Sequence, residues 1–310
     1  MCETKNMKRL NEKYWFEPGD KAAIVCCSNG QLIENKEKLQ KLQDTLTEIG
    51  LIPVFSDHIY AHGSDSVFSG SGKERAASLM NFYKDEEIKA IFDISGGDIA
   101  NEVLSWLTPE DFNVIKNSGK LFWGYSDLTA ILNAIYTKTG NSSVLYQVRN
   151  LISKDAQMQI SRFTNTLLYN NILLQEEPDL FDIHYEFIQK EEMHGVVVGG
   201  NIRCFLKLAG TEFWPDMKGK ILLLEAMGGT VPQMVTYLNQ LKQMGVFQQV
   251  SGILLGTFTK MEKEGCVPVI SELVKAYAGN EIPIAQTAEI GHGTDSKAIM
   301  IGKEMRFKRK

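Results

Sequence analysis

The chain has 310 residues, 44% hydrophobic and 23% charged, with a net charge of -5. That length is about twice a common domain, so two domains or one large α/β unit are expected, with enough apolar content for a core without disulfide or metal staples. The negative balance gives no electrostatic basis for nucleic-acid binding, the terminal "RFKRK" being a short solvated end, and no apolar run approaches the ~18 residues of a membrane span.

The polar start "MCETKNMKRLNEKYWFEPGDK" does not read as a signal peptide, so a cytoplasmic protein is expected. Cys2, Cys26, Cys27, Cys204 and Cys266 form an odd set without CxxC spacing and read as free, mostly buried thiols. In chain order, "KAAIVCCSN" reads as a strand and "NKEKLQKLQDTLTEIG" as a helix ending at Gly50. Strand "LIPVFS", helix "GKERAASLMNFYKDEE", strand "KAIFDISGG" and helix "DIANEVLSWL" follow, and then "LFWGYSDLTAILNAIYTKTG", an apolar strand passing into a helix. Continuous apolar strands alternating with helices predict an N-terminal α/β domain whose parallel, Rossmann-like (amidotransferase-like) sheet is covered on both faces.

From about residue 150 to 190 the periodicity fades, and 166–190 reads as a linker between an N-terminal domain at 1–165 and a smaller C-terminal α/β domain at 191–310. In the latter, "GVVVGGN", "GKILLLEAM", "VSGILLGTFT", "IPIAQTAEIGH" and "KAIMIGKEMRF" read as strands. "NIRCFLKLAG", "VPQMVTYLNQLKQMG" and "PVISELVKAYAG" read as helices.

Some motifs mislead. "SGSGKERA" lacks both the first glycine of a phosphate loop, replaced by Val67, and the hydroxyl after Lys73, replaced by Glu74; Ser71 or Gly72 is more simply a helix cap. "CCSNGQ" stands where a dinucleotide fingerprint would follow the first strand. His58, His62, His184 and His194 have no partners at metal-ligand spacing, and Trp15, Trp106, Trp123 and Trp214 fall in or beside apolar patterns and read as core.

The candidate chemistry lies at strand ends, where parallel sheets place their sites. Ser126 joins a buried strand to a helix. Its hydroxyl can face a crevice with the next N–H and the helix dipole behind it, or it can simply cap the helix; Leu128, where a nucleophile elbow has glycine, favours the cap when the motif is taken alone. Glu225 closes an apolar strand, where a buried carboxylate needs a partner. His292 stands between glycines in "EIGHGTDS", and Gly96 and Gly97 form another strand-to-helix turn that gives either backbone access to a substrate carbonyl or a tight structural turn.

"FSGSGKERAASLMNFYKDEEIKAIFDISGGD", "FWGYSDLTAILNAIYTKTG", "VVVGGNIRCFLKLAGT", "KILLLEAM" and "AEIGHGTDSKAIMIG" resemble, in order, the successive motifs of the LD-carboxypeptidase family of serine peptidases, which also contains the microcin C resistance proteins. The resemblance runs from about residue 20 to 307. It implies a two-domain fold and a triad of Ser126 as nucleophile, Glu225 as acid and His292 as base. It also implies oxyanion donors at the backbone N–H groups of Gly97 and Asp127, with Gly96 and Asn201 near the substrate. A cytoplasmic homodimer without metal or cofactor would act on a small peptide or an aminoacyl-nucleotide, with no nucleic-acid or membrane partner.

The chain departs from the family pattern at "LYQVRN", which replaces a Gly-Pro turn around Gln147 to Asn150, at Ala226 after the acid, and at "VCCSNG" in the first turn. No Trp lies between residues 124 and 213, so Tyr185 or Phe187 are the expected stacking residues for a nucleobase. Cleavage of a terminal D-amino acid from murein peptides is the leading expectation, and an aminoacyl-nucleotide amidase the second. An α/β-hydrolase-like esterase and a non-catalytic binding relative are the readings from other classes.

Overall fold

The computed structural model describes residues 16–63, 66–168 and 179–309. Trp15, Cys2 and part of the expected linker, 169–178, lie outside the described residues. The first sheet has strand order β11-β5-β4-β3-β1-β2. It comprises β1 (Lys21–Val25), β2 (Ile52–Phe55), β3 (Ile88–Asp93), β4 (Leu121–Gly124), β5 (Ser143–Leu145) and β11 (Ile299–Ile301). All pair in parallel except β11, which runs antiparallel to β5.

Its strands alternate between two cores. Ala22 and Ile24 of β1, with Phe92 of β3 and Trp123 of β4, face a core closed by α1 (Lys36–Glu48) and α6 (Ala156–Leu167). Ala23, Val25, Ile91 and Phe122 face the other way, toward α2 (Gly72–Lys84), α3 (Ala100–Leu104), α4 (Pro109–Ser118) and α5 (Thr129–Thr139). Local chemistry fixes the helix ends: Ser71 and Glu74 form a capping box on α2, Thr108 and Asp111 another on α4, and α4 ends at Gly119 with φ of 69°. The "SGSGK" motif is therefore a helix start.

The second sheet, order β12-β7-β8-β9-β10-β6, is parallel through β7 (Glu192–Asn201), β8 (Ile221–Ala226), β9 (Gly252–Phe258) and β10 (Ile284–Gln286). Its edges, β6 (Glu186–Gln189) and β12 (Glu304–Lys308), are antiparallel. The helices on it include α7 (Ile202–Phe205), α8 (Val231–Gln243), α9 (Thr259–Lys263) and α10 (Ile270–Ala278).

Several expectations are corrected. The segment from about residue 150 to 190, where the periodicity fades, holds α6, whose apolar side closes a core, and β6, which pairs with β10. "KAIMIGKEMRF" is two strands: the chain turns at Gly302, with φ of 83°, so that β11 joins the first sheet and β12 the second. A boundary at 191–310 therefore does not divide the strands between the lobes. Trp123 is core, but Trp106 is 49% exposed and lies under Lys73, because the short α3 ends before reaching it. Cys26, Cys27 and Cys204 are free and buried, and Cys266 is free and partly buried.

The lobes share one core through α5, in which Thr129 through Ile135 are all buried. A helix apolar all round belongs between layers. Asn133 donates to the Gly199 carbonyl at 2.9 Å and accepts the Gly199 N–H at 2.8 Å, while Thr129 Oγ1 accepts the Asn201 N–H at 3.0 Å. A Cβ on Gly200 would stand 2.8 Å from Thr129 Oγ1, so the "GGN" glycine there is required by helix-to-strand contact.

Candidate active site

At the end of β4 the chain turns sharply. Ser126 has φ of 57°, one of two described non-glycine residues in the left-handed region, a conformation costing roughly 1–2 kcal/mol. It opens a single 3-10 turn, Ser126–Leu128, in which no side chain makes a capping bond. The capping role is thus not what Ser126 performs. Leu128 fits without the elbow's second glycine because its side chain lies over Gly124, where any Cβ would come within 2.7 Å of it.

The Asp127 side chain anchors this turn from beneath. Fully buried, its carboxylate accepts from Ser28 Oγ at 2.7 Å and the Ala100 N–H at 2.8 Å, and pairs with Lys207 from the second lobe. Lys207 also donates to the Asp98 carbonyl at 2.7 Å. Gly96 and Gly97 face the same cleft as Ser126. Gly97, with φ of 119°, is covered so closely by Asn29 that a Cβ would fall 2.2 Å from Asn29 Cγ. Asn29 in turn donates its N–H to the Gly96 carbonyl at 3.1 Å and accepts the Asp98 N–H at 3.0 Å.

Glu225, on β8, is wholly buried and accepts a 2.8 Å hydrogen bond at Oε2 from His292 Nδ1. A carboxylate so placed fixes the imidazole's tautomer and orientation. His292 Nε2 is buried without a hydrogen-bond partner, and His292 and Ser126 line one cleft of about 660 Å³. The Ser126 hydroxyl is not hydrogen bonded to Nε2; such bonds commonly close only around a substrate. Tyr125 packs edge-on against His292 with ring centroids 4.8 Å apart. Burial, and after it the Glu225 charge, push the Tyr125 phenol well above its ordinary range and keep it neutral.

The His292 loop is held from two sides. The Ile290 carbonyl accepts the Thr257 N–H at 2.8 Å, and a Cβ on Gly291 would lie 1.7 Å from Thr257 Oγ1, which explains the first flanking glycine. From the first lobe, the buried Gln159 on α6 donates to the carbonyls of Thr294 and Ser296, both at 2.8 Å, and accepts from Tyr146 at 3.1 Å. Asn150 reaches Ser296 Oγ at 3.3 Å.

Asn201 lies in register with Glu225, caps α7 through a 3.4 Å bond to the Cys204 N–H, and does not line the cleft. Tyr185 and Phe187 are not cleft residues either: they pack against each other, and Tyr185 against Phe307, because Phe187 in β6 and Tyr185 just before it lie at the edge of the second sheet. Among the described residues no group of three or more His, Cys, Asp or Glu could hold a metal ion, and no helix is long and apolar enough to cross a membrane. The sequence reading missed the Asp127 carboxylate with Lys207, Tyr125, Gln159 and Arg149. Only Arg149 left a signal, since it falls in the departing "LYQVRN".

A two-lobed α/β protein with a serine on a strained turn and a carboxylate-bound imidazole in the same cleft is a serine peptidase by class. Family models agree, matching the LD-carboxypeptidase N-terminal domain over residues 22–146 and the LD-carboxypeptidase C-terminal domain over 194–307. The chain belongs to the LD-carboxypeptidase family. It is 29% identical over 262 residues to a Bacillus subtilis protein named "Probable murein peptide carboxypeptidase", covering 76% of this chain and 73% of that one. It is 25% identical over 269 residues to the microcin C7 self-immunity protein MccF of Escherichia coli, covering 78% and 77%. The fold matches a structure of MccF in complex with glutamyl sulfamoyl guanosine at a TM-score of 0.79 and 20% identity, over 96% of this chain and 98% of that one.

Proposed function

We propose that the protein hydrolyses amides through an acyl-enzyme formed on Ser126, and that its substrate is a murein peptide from which it releases a terminal D-amino acid. His292 Nε2 takes the Ser126 proton as Oγ attacks the carbonyl carbon, and the Gly97 and Asp127 N–H groups receive the developing oxyanion. His292 then gives that proton to the leaving nitrogen as the C–N bond breaks. Water, deprotonated by the same imidazole, releases the acid and restores Ser126. Glu225 holds the imidazole in place through Nδ1 and stabilises the imidazolium.

The observation that carries this reading is the 2.8 Å bond from His292 to the buried Glu225, with Nε2 left unpartnered in the cleft that Ser126 lines. The murein assignment draws on the Bacillus subtilis relative. The likeness to MccF supports a second substrate, an aminoacyl-nucleotide cut at the amide. Mass spectrometry of parallel reactions with murein tetrapeptide and with aspartyl sulfamoyl adenosine tests both. Loss of one terminal residue from the tetrapeptide, abolished in Ser126→Ala and in His292→Ala, is expected; turnover that survives both substitutions would overturn the mechanism. The family resemblance further implies a cytoplasmic homodimer, a state that sedimentation velocity would read directly.

A further inference from the structure

The cleft beside Ser126 carries formal charge of one sign. The protein's net charge is -5, yet among the described residues lining the cleft none is Asp or Glu, whereas Lys38 and Arg149 both line it. Lys38 is exposed on α1. Arg149 is half-buried in the 3-10 turn Val148–Ile152 that follows β5. It makes no ion pair among the described residues.

Its hydrogen bonds instead hold it in place. Arg149 Nη1 donates to Gln31 Oε1 at 3.3 Å, and its N–H donates to Gln147 Oε1 at 3.3 Å. Gln31 is itself buried and fixed, donating Nε2 to the Ile94 carbonyl at 3.0 Å just past β3. Asp93 acts on the guanidinium only through space: its carboxylate accepts from the Cys27 N–H and from Ser95 and forms no ion pair with Arg149. Burial lowers the Arg149 pKa from its ordinary value, although an arginine remains charged at neutral pH. A partly desolvated cation with no ion-pair partner is costly, and an incoming anion offsets part of that cost. The guanidinium fork also matches a carboxylate in two parallel hydrogen bonds.

We infer that Arg149, braced by Gln31, receives an anionic group attached beside the scissile nitrogen of the substrate. In a peptide that group is the carboxylate of the terminal residue; in an aminoacyl sulfamoyl nucleotide it is the acidic sulfamoyl unit. The inference rests on Ser126 as the reacting residue and adds a reason for exopeptidase selectivity. In a chain joined through its α-carboxyl groups, only the last residue carries a carboxylate one carbon from its amide nitrogen. A chain extended by one more residue, or closed as an amide, presents a neutral carbonyl to Arg149.

The test compares kcat/KM for murein tetrapeptide as free acid and as C-terminal amide in the wild type, Arg149→Gln, Arg149→Lys and Gln31→Leu. The wild type should prefer the acid by about 10- to 100-fold, as for a charge-assisted hydrogen bond. Arg149→Gln should erase that preference mainly through KM, with Arg149→Lys retaining part of it and Gln31→Leu reducing it less. Calorimetry of both peptides on Ser126→Ala reads the same discrimination without turnover. Equal loss on acid and amide in Arg149→Gln, with their ratio kept, would overturn the inference. So would a loss for neither peptide nor aspartyl sulfamoyl adenosine, whereas a loss confined to the latter supports the anion site and identifies its source. Turnover persisting in Ser126→Ala would sink the mechanism alone, since the acid-to-amide ratio of kcat/KM in wild type and Arg149→Gln would still score Arg149.

Discussion

The Ser126 turn and the His292 loop meet in one cleft but are built on opposite plans. The turn is held mostly from its own lobe, by strand β4 before it, Gly124 under Leu128 and the Asp127 carboxylate reaching Ser28 and Ala100, with Lys207 that carboxylate's partner from the second lobe. The loop has little regular structure, and its shape comes from residues more than a hundred positions away, Gln159 and Asn150, together with the close approach of Gly291 to Thr257. Local strain sets one proposed reacting group and remote hydrogen bonds set the other. Changes in the first should therefore alter chemistry and folding together, while changes around the second should alter chemistry more than folding.

Substitutions can break this contrast, beginning with the largest effect. Ser126→Ala should lower kcat by about 10⁶-fold in a tetrapeptide assay, the scale of removing a nucleophile from comparable triads. Glu225→Gln should lower it by about 10⁴-fold with little change in peptide affinity, since the imidazole would lose its orienting charge. Asp127→Ala should cost roughly 3–5 kcal/mol in urea unfolding, because Lys207 and two donors lose a buried acceptor. Gln159→Leu should reduce kcat by about tenfold while costing only about 1–3 kcal/mol, as two carbonyls of the His292 loop lose a donor. An activity loss no larger than its stability loss implies would remove the distinction between the two regions.

The smallest effect concerns the approach to the loop. Burial works against the Glu289 carboxylate, but hydrogen bonds from His184 and Lys297 outweigh it and hold its pKa below the ordinary value. Its stabilising contribution is then complete above the ordinary carboxylate pKa of about 4.3 and disappears as pH falls through the lower folded value. Wild type should lose slightly more stability than Glu289→Gln on acidification from about pH 5 to pH 3, measured by thermal melts.

This contrast also explains what could be read in advance. Strands β1, β3, β4, β7, β8 and β9 are continuous apolar runs, and their helices carry caps such as Ser71 and terminal glycines such as Gly140, so the layered architecture was legible from periodicity. Ser126, Glu225 and His292 stood out because strand ends concentrate function. The conformation of Ser126 was not legible, since φ of 57° is not favoured by any propensity of serine and goes with a tight turn in which Leu128 packs on Gly124. Asp127 carried no sign that its side chain would bind three partners, one of them on the other lobe. Gln159 lay where periodicity had faded, and its value comes from a loop that the sequence places far away. The misplacement of Tyr185 and Phe187 has the same origin: an edge strand, β6, was read as linker.

Strand β11 has a consequence for how the molecule can be divided. The last of the chain to enter the first sheet arrives only at residue 299, after the whole second sheet but one strand has been laid down. A fragment ending in the 169–178 segment would leave the backbone of β5 bare along one side, inviting strand-to-strand association with its neighbours. Synthesis of this protein therefore has a late closing step, and its two halves are unsuited to separate expression or to exchange as modules.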